Sequence, residues 1–381
     1  MNNKIKIIAA TLAVGMTATL AGCGGCSGCG RKSSSNTLTR SNWFTGTSYN
    51  GIQPSFIEGN ENFSPEKITY KVSYDNSSAN NGFVELDYRD GTFTTEFYAK
   101  KYDWTSSGIP AGYANEKIGS EIVYYYKTEL TVSVKYTMKK GDKASSDWFD
   151  DHIVTESYFR AAGKSLQPVY SKQEIVSTSP ANYQPAKLED AYKRVSVSYE
   201  NYYNYNCTKV LSKTDEDGVK SEKQLSKLNK IKNSLFDNSS LYIVIRSMKL
   251  SSSLSESIDL FSAAAGGTDK YAIVGSSAAL TATERAQYTE QLKLNGLYEA
   301  KKDGDGNEVT DDEGVDWAAV TVSYNGGNLH GTSQTIWYAA ITDNDHNVSR
   351  STMLKLSIPI SFNLGTLNYS LTEINSTLWN G

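Results

Sequence analysis

The sequence predicts a mainly β protein with a few helices, an α+β chain whose long, curved antiparallel sheet forms an incomplete barrel or a β-sandwich. Three observations support this class. Apolar side chains alternate with period two over most of the chain, as in strands with one buried face. The longest alternation, Glu121 to Met138, far exceeds the usual five or six residues of a strand, so that strand must bend across its sheet. Helical spacing occurs only between residues 214 and 300.

The first half of the chain is predicted to be a β-meander. Its apolar positions share one parity within each segment, and clusters of Gly, Pro, Asn or Ser bound the segments. The predicted strands are residues 68–74, 84–88, 92–98, 121–138, 153–160, 169–176 and 194–202. We interpret Arg89-Asp90-Gly91 as a tight turn between the second and third strands, because Asp and Gly are typical turn residues.

Residues 214 to 300 are predicted to contain two helices and one strand. Leucine and isoleucine at near-helical spacing predict a helix over residues 221–236. Leu241 to Met248 is apolar on both parities, which indicates a strand covered on both sides. A second helix is predicted from Thr281 to Leu294, because Thr281 and Glu284 have the spacing of a capping box.

The last third returns to period-two alternation and is predicted to be β. Its strands are residues 320–324, 336–340, 354–362 and 367–371. Pro359 lies inside the third of these segments. Since proline cannot donate to a hydrogen-bond ladder, it predicts an edge position or a bulge there.

The N-terminus has the pattern of an export signal. Lys4 and Lys6 precede an apolar run from Ile7 to Leu20, which small and polar residues interrupt and which is shorter than the roughly 20 residues of a membrane-spanning helix. The run ends in Leu20-Ala21-Gly22-Cys23, which resembles the lipobox of bacterial lipoproteins. The resemblance implies removal of residues 1–22 and a thioether-linked diacylglycerol on Cys23. The protein is therefore expected outside the cytoplasm, with the membrane as a partner through its lipid anchor.

The remaining chain divides by composition into a tether and a folded body. Residues 23–42 are rich in Gly, Ser, Asn and Thr and are predicted to be a disordered tether. Residues 43–213 are predicted to form an antiparallel β domain. Residues 214–381 form an α+β region that either continues this sheet or makes a second domain.

Charge excludes one class of partner. Removal of the signal segment takes away two lysines and leaves 36 basic against 42 acidic residues, a formal charge of −6. Because nucleic-acid affinity rests on neutralising phosphates with Lys and Arg, we expect no nucleic-acid partner.

The order of features between residues 65 and 300 resembles lipoprotein-carrier-like half-barrels. Long curved strands are followed by Tyr158-Phe159, by Leu166 to Ser171, by a helical interruption and by Leu241 to Leu250. The resemblance implies a sheet that wraps incompletely around helices and leaves an apolar concavity for acyl chains. It carries no ligand-binding residue to this chain.

One acidic segment resembles the calcium loops of EF-hands and dockerins. It places oxygen ligands at Asp303, Asp305, Asn307 and Asp311, as a Ca²⁺ loop requires. Glu308 stands where the sharp turn needs Gly, and Gly314 where a bidentate carboxylate is needed. An acidic, Gly-rich hairpin loop explains the same residues, and no other cofactor is indicated.

Tyrosine is the most unusual component of the body, with 26 Tyr beside 6 Trp. Tyrosine on half-exposed strand faces is common, so packing between strands is one interpretation. The other is an aromatic surface on which glycan rings stack or peptides dock. Its first candidates are Tyr125, on the polar parity of the longest strand, and Tyr202, Tyr203 and Tyr205.

Motifs for catalysis are missing from the sequence. The three histidines, His152, His330 and His346, stand in unrelated contexts, and neither a Gly-x-Ser-x-Gly nor a His-Glu-x-x-His spacing occurs. No catalytic residue is predicted. We therefore expect a non-enzymatic binding or scaffold lipoprotein for a lipid, glycan or protein partner. The alternative is an extracytoplasmic hydrolase acting on cell-envelope or glycan material.

Overall fold

The computed structural model describes residues 57–103, 119–139, 145–162, 165–178, 194–202, 207–215, 220–227, 235–246, 248, 250–262, 267–294, 304–305, 315–324, 333–343 and 348–375. Within these ranges the chain forms sixteen strands and two α-helices. The predicted fold class, mainly β with a few helices and a long antiparallel sheet, is confirmed.

The strands of the first half are β1 (Glu66–Asp75), β2 (Val84–Tyr88), β3 (Gly91–Asp103), β4 (Ser120–Met138), β5 (Phe149–Ala162), β6 (Ser165–Ser177), β7 (Val195–Tyr202), β8 (Cys207–Asp215) and β9 (Lys220–Lys227). The second half contains β10 (Leu235–Asp237), α1 (Leu241–Arg246), β11 (Ser255–Ser262), β12 (Gly267–Ser276), α2 (Ala282–Leu294), β13 (Val315–Tyr324), β14 (Gln334–Asp343), β15 (Val348–Pro359) and β16 (Thr366–Asn375). All the segments predicted as strands in the first half and in the last third contain strands.

All sixteen strands belong to one sheet, which is two meanders joined side by side. Its order is β10-β11-β12-β13-β14-β15-β16-β1-β3-β4-β5-β6-β7-β8-β9, and β2 pairs with β4 beside this path. The pairs are antiparallel except β10–β11, which is parallel. The first and last strands, β1 and β16, are neighbours and connect the two meanders.

The sheet is open and strongly curled. Within the described ranges its path ends at β9 on one side and β10 on the other. These strands are consecutive in the chain, and the eight steps from Lys227 to Leu235 can reach at most about 29 Å. Fifteen strands in a flat sheet would span about 67 Å at the usual strand spacing. The two ends must therefore curve toward each other.

The predicted tight turn at Arg89–Gly91 is wrong. Tyr88 of β2 pairs with Val134, and Thr92 of β3 pairs with Thr131, so both strands run in the same direction along β4. The segment between them is a local irregularity where two strands follow one another along β4. The Arg89 backbone N–H still donates to the Ser133 carbonyl at 3.0 Å. Gly91 here allows close packing against β4, and exposed Asp90 pairs with Lys71 at 2.6 Å, so neither residue serves a chain reversal.

The predicted helix over residues 221–236 is also wrong, because β9 and β10 fall within it. Its leucines have helical spacing, but pairing with β8 gives this segment a hydrogen-bond ladder that local sequence cannot reveal. The predicted strand at Leu241–Met248 is instead helix α1. A run that is apolar on every side suits a buried helix as well as a buried strand.

The predicted second helix is confirmed as α2, with its capping box. The Glu284 backbone N–H donates to Thr281 Oγ1 at 3.2 Å, and the Thr281 backbone N–H donates to Glu284 Oε2 at 2.8 Å. This reciprocal pair satisfies two amide groups that the first turn of a helix leaves without partners.

Pro359 lies neither on an edge strand nor in a bulge, contrary to the prediction. It is the last residue of β15, which pairs with both β14 and β16. The pairing with β14 stops at Ser357, so the missing N–H of Pro359 interrupts no ladder.

The core lies on the inner face of the curled sheet, around α1. Residues Leu241 to Ile245 of this helix are all buried. The even parity of β4 faces it, as predicted, with Tyr124, Tyr126 and Leu130 buried, whereas Ile122 at the strand's beginning is 42% exposed. Among the described residues, neither α1 nor α2 combines the length and the hydropathy that crossing a bilayer requires.

Candidate functional site

The residues predicted from the sequence fall partly within the structure. Tyr125 lies in the middle of β4 and is 2% exposed, and Tyr202 is the last residue of β7. Asp305 falls in a described turn. Several other candidates lie outside the described residues: Cys23, Tyr203, Tyr205, Asp303, Asn307 and Asp311.

Tyr125 and Tyr202 belong to one row of tyrosines that crosses five neighbouring strands. In the sheet register Tyr98 pairs with Tyr125, Tyr125 with Tyr158, Tyr158 with Tyr170, and Tyr170 with Tyr202. We call these five positions the tyrosine row. It lies on the outer face of β3 to β7, opposite the face that packs on α1, because side chains of alternate parity point to opposite faces.

The described rings of the tyrosine row contact one another in tilted or edge-to-face pairs. Neighbouring centroids are 4.7 Å apart for Tyr98–Tyr125, 4.9 Å for Tyr125–Tyr158 and 5.5 Å for Tyr158–Tyr170, with interplanar angles of 49°, 67° and 60°. Tyr102 contacts Tyr158 and Tyr170 as well. Tyr158 and Tyr170 are half-buried, so they are the parts of the row that solvent reaches best.

A second row, two residues along each strand, alternates in charge. Lys67 pairs with Glu96, Glu96 with Lys127, Lys127 with Glu156, Glu156 with Lys172, and Lys172 with Glu200, across β1, β3, β4, β5, β6 and β7. We call these six residues the charge row. Opposite charges on neighbouring strands stabilise a sheet by roughly 0.2–1 kcal/mol per pair, and three lysines balance three glutamates here.

The lysines of the charge row are held by carboxylates around them. The pKa of Lys127 is raised, since the effect of partial desolvation is outweighed by a 2.8 Å contact with Glu129 and by the charges of Glu96 and Glu156. The pKa of Lys172 is raised by its hydrogen bond to Glu174, against desolvation, and by Glu156 and Glu200. Both ammonium groups thus stay charged over the physiological range.

Tyrosine hydroxyls connect the two rows. Tyr125 donates to Glu156 Oε1 at 2.5 Å, and Tyr170 donates to Glu200 Oε1 at 2.9 Å. Burial, followed by the hydrogen bond and charge of Glu156, raises the pKa of Tyr125 well above its usual range. These contacts fix the orientation of Glu156 and Glu200 on the outer face.

The sequence contains a signal for this site that the period-two analysis did not use. The strands alternate between Glu-x-Tyr and Tyr-x-Lys: Glu96-x-Tyr98, Tyr125-x-Lys127, Glu156-x-Tyr158, Tyr170-x-Lys172 and Glu200-x-Tyr202. In an antiparallel meander the direction of the chain reverses at each strand. The reversed motifs therefore align into one aromatic row and one charged row, which the search for single motifs missed.

The inner face holds a different set of polar groups, several of which attach α1 to the sheet. Arg246 at the end of α1 forms a two-pronged ion pair with Glu66, whose side chain is 3% exposed. Asp237 accepts from Ser171 at 2.6 Å, and Asn238 accepts from Gln173 at 2.9 Å. These contacts attach α1 and the turn before it to β1 and β6.

A small cavity lies beside Arg246, between α1 and the sheet. It is lined by Tyr70, Tyr126, Tyr242, Met353 and neighbouring side chains, and has room for about one water molecule. Beside Arg246, α1 therefore packs closely against the described strands.

Neither a protein-family model, nor a curated protein, nor a solved structure matches this chain.

Proposed function

We propose that this protein is a lipid-anchored, extracytoplasmic module that binds a protein partner through the outer face of β3 to β7. The observation that carries the proposal is the tyrosine row beside the charge row, in one register over neighbouring strands. Tyrosine is enriched at protein interfaces because it combines a large apolar ring with a polar tip. Charges at fixed positions give such an interface its specificity and its register.

Ring orientation favours a protein over a glycan. A sugar stacks best on an exposed ring face, but Tyr98 and Tyr125 are buried, and neighbouring rings of the tyrosine row are tilted against each other by 49° to 67°. Part of each ring is thus covered by the neighbouring ring. The alternating charges can also pair with opposite charges on another protein, which a neutral glycan does not offer.

The packed interior favours a protein over a lipid. Leu241 to Ile245 fill the space on the inner face, and the cavity beside Arg246 accommodates about one water molecule. An acyl chain would have to displace α1 and break the ion pair between Arg246 and Glu66. The outer face needs no such rearrangement.

Anchoring through Cys23 would place this face near other membrane-bound proteins. Two or three acyl chains hold a protein firmly at a membrane, since each buried methylene contributes about 0.8 kcal/mol. The predicted tether of residues 23–42 would let the body reach partners above the surface. Anchoring is supported by the lipobox residues alone.

Site-specific photo-crosslinking in cells tests the proposal. A photoreactive phenylalanine analogue is placed at Tyr158, which is half-buried in the tyrosine row, in the full-length lipidated protein. The expected result is a discrete protein adduct on irradiation. The matched control is the same analogue at Val274 of β12, which is 41% exposed and lies far from the row in the sheet order.

The outcome decides between partner classes. An adduct at Tyr158 but not at Val274 supports a protein-binding face. Equal adducts at both positions, or none at either while the protein is folded and membrane-bound, contradict the proposal. Protection of Tyr158 from crosslinking by a neutral oligosaccharide would instead indicate glycan binding.

A further inference from the structure

The line between β4 and β5 divides the charge row into two halves of three residues, and each half carries the charges opposite to those of the other. Counting outward from that line, Lys127 corresponds to Glu156, Glu96 to Lys172, and Lys67 to Glu200. Every residue therefore has its opposite charge at the mirror position. The tyrosine row follows the same rule, with Tyr125 corresponding to Tyr158 and Tyr98 to Tyr170.

This arrangement is what a two-fold axis requires of a face that packs against itself. A rotation of 180° about an axis parallel to the strands, lying over the line between β4 and β5, exchanges mirror positions and brings the two outer faces together. Lys127 of one copy then lies opposite Glu156 of the second copy, and Glu156 opposite Lys127. Each lysine in the row then faces a glutamate position of the other copy, whereas Tyr98 and Tyr125, which are 7% and 2% exposed, stay packed within their own sheet.

The neighbouring row introduces no repulsion in this arrangement. Glu129 of β4 corresponds to Val154 of β5, and Thr94 of β3 corresponds to Glu174 of β6. No two like charges are brought together. If the axis passed over a strand instead, each residue of that strand would meet itself, and Glu156 would oppose Glu156.

We infer that the partner of the outer face is a second copy of this chain, in a two-fold dimer whose axis lies between β4 and β5. This inference rests on the proposed function and names its partner. The curled sheet presents a convex outer face, so β4 and β5 approach first and Lys127 and Glu156 form the central contacts. Such a narrow contact is weak in solution, and anchoring two copies in one membrane raises their effective concentration.

A charge-swap pair separates contacts between copies from contacts within one copy. Lys127→Glu places a glutamate opposite Glu156 of an identical copy, and Glu156→Lys places a lysine opposite Lys127. Each variant therefore repels itself. When the two variants are mixed, both central contacts join opposite charges again, although each chain still has like charges on neighbouring strands.

The measurement uses full-length protein carrying two different tags, co-expressed and joined in the membrane by a cross-linker that does not react with amines, before extraction in detergent. Wild-type copies are expected to co-purify. Each variant paired with itself should co-purify at least about tenfold less, because facing like charges are strongly unfavourable. Lys127→Glu co-expressed with Glu156→Lys should recover most of the wild-type level.

Thermal unfolding of each variant serves as the folding control. Loss of co-purification in the mixture, or undiminished co-purification of either variant with itself, would overturn the dimer. Wild-type copies that fail to co-purify, while Tyr158 still crosslinks to a different protein, would overturn the dimer and leave the proposed function standing. Absence of any adduct at Tyr158 would remove the proposed function itself.

Discussion

At the scale of single residues, the most consequential contact is the buried ion pair between Glu66 and Arg246. Glu66 begins β1, and Arg246 ends α1, so one pair joins the interior helix to the strand that connects the two meanders. The guanidinium approaches both carboxylate oxygens, with Nη2 2.7 Å from Oε2. Removing one partner leaves the other charge buried without compensation.

Arg246→Met is expected to lower the free energy of unfolding by about 3–5 kcal/mol, the usual cost of a buried charge that has lost its partner. Denaturant unfolding followed by circular dichroism measures it. The matched control is Lys71→Met, which removes a 2.6 Å pair with Asp90 whose side chains are 55% and 63% exposed. A surface pair contributes only about 0–1 kcal/mol, so equal losses in the two variants would contradict the assigned role.

Buried tyrosines make the fold sensitive to alkaline pH. Burial raises the pKa of five inner-face residues: Tyr70, Tyr126, Tyr242, Tyr338 and Tyr369. Burial, with the charges of Asp87, Glu85 and Asp75, also raises the pKa of Tyr74 to about 12. The folded state keeps these protons at a pH where the unfolded chain, with an ordinary pKa of about 10, releases them.

The free energy of unfolding should therefore be constant below pH 10 with respect to these groups and fall as the pH rises above it. Tyrosinate absorbance and far-UV circular dichroism, recorded together against pH, check this. The fraction of tyrosinate from the buried residues should rise only as the circular dichroism signal is lost. Full ionisation of all 26 tyrosines with an intact signal would show that the inner face is accessible to solvent.

At the scale of elements, β2 and β3 show how one glycine, Gly91, lets two consecutive strands pair with the same neighbour, β4. A Cβ atom at Gly91 would lie 2.5 Å from the Thr131 carbonyl oxygen and 2.7 Å from Val132 Cβ. The strand can pass β4 this closely only because glycine has no side chain. The two sections consequently keep one direction along β4 and lengthen the sheet.

Gly91→Ala should destabilise the protein by roughly 1–3 kcal/mol, because a methyl group there forces backbone shifts in β4. Thermal or denaturant unfolding measures the loss. Gly82→Ala is the matched control, since nothing lies within 4 Å of the Cβ it would introduce. Its effect should stay within about 0.5 kcal/mol, and similar effects at both glycines would refute the packing argument.

The sequence predicted those elements that are determined by a pattern within their own residues. Period-two alternation identified β1 and β4, and the capping box of Thr281 and Glu284 identified α2. The sequence pattern could not distinguish a strand from a helix where every side chain is buried, as at α1. It also could not predict β9, whose conformation depends on pairing with β8. Tyr125 and Tyr202 were selected by composition, but only the register joined them to Tyr98, Tyr158 and Tyr170.

At the scale of the whole molecule, the continuous sheet joins the two regions that composition separates at residue 213. β1 pairs with β16 on one side and with β3 on the other, so both meanders share one core around α1. The outer face of β3 to β7 lies in the first meander. Mutations there can thus test the proposed binding while the inner face keeps its packing.

Cys23→Ser should release the protein from the membrane, because a hydroxyl cannot form the thioether that the lipobox resemblance implies. Fractionation of cells into membrane and soluble extracts, with mass spectrometry of the mature N-terminus, measures this. Cys207→Ser is the matched control and should leave the distribution unchanged. A Cys23→Ser protein that stays fully in the membrane fraction would rule out the proposed anchor.

The pairing of β1 with β16 has a consequence for biogenesis. Lys67 pairs with Asn375, so a ladder that begins in β1 is completed only by β16, the last strand of the described residues. Closing such a distant pair is entropically slow compared with forming a hairpin. Early strands must therefore wait with an unsatisfied edge until the final segment is free to pair. During the export that we propose, the chain would be most vulnerable to proteolysis and aggregation over that interval.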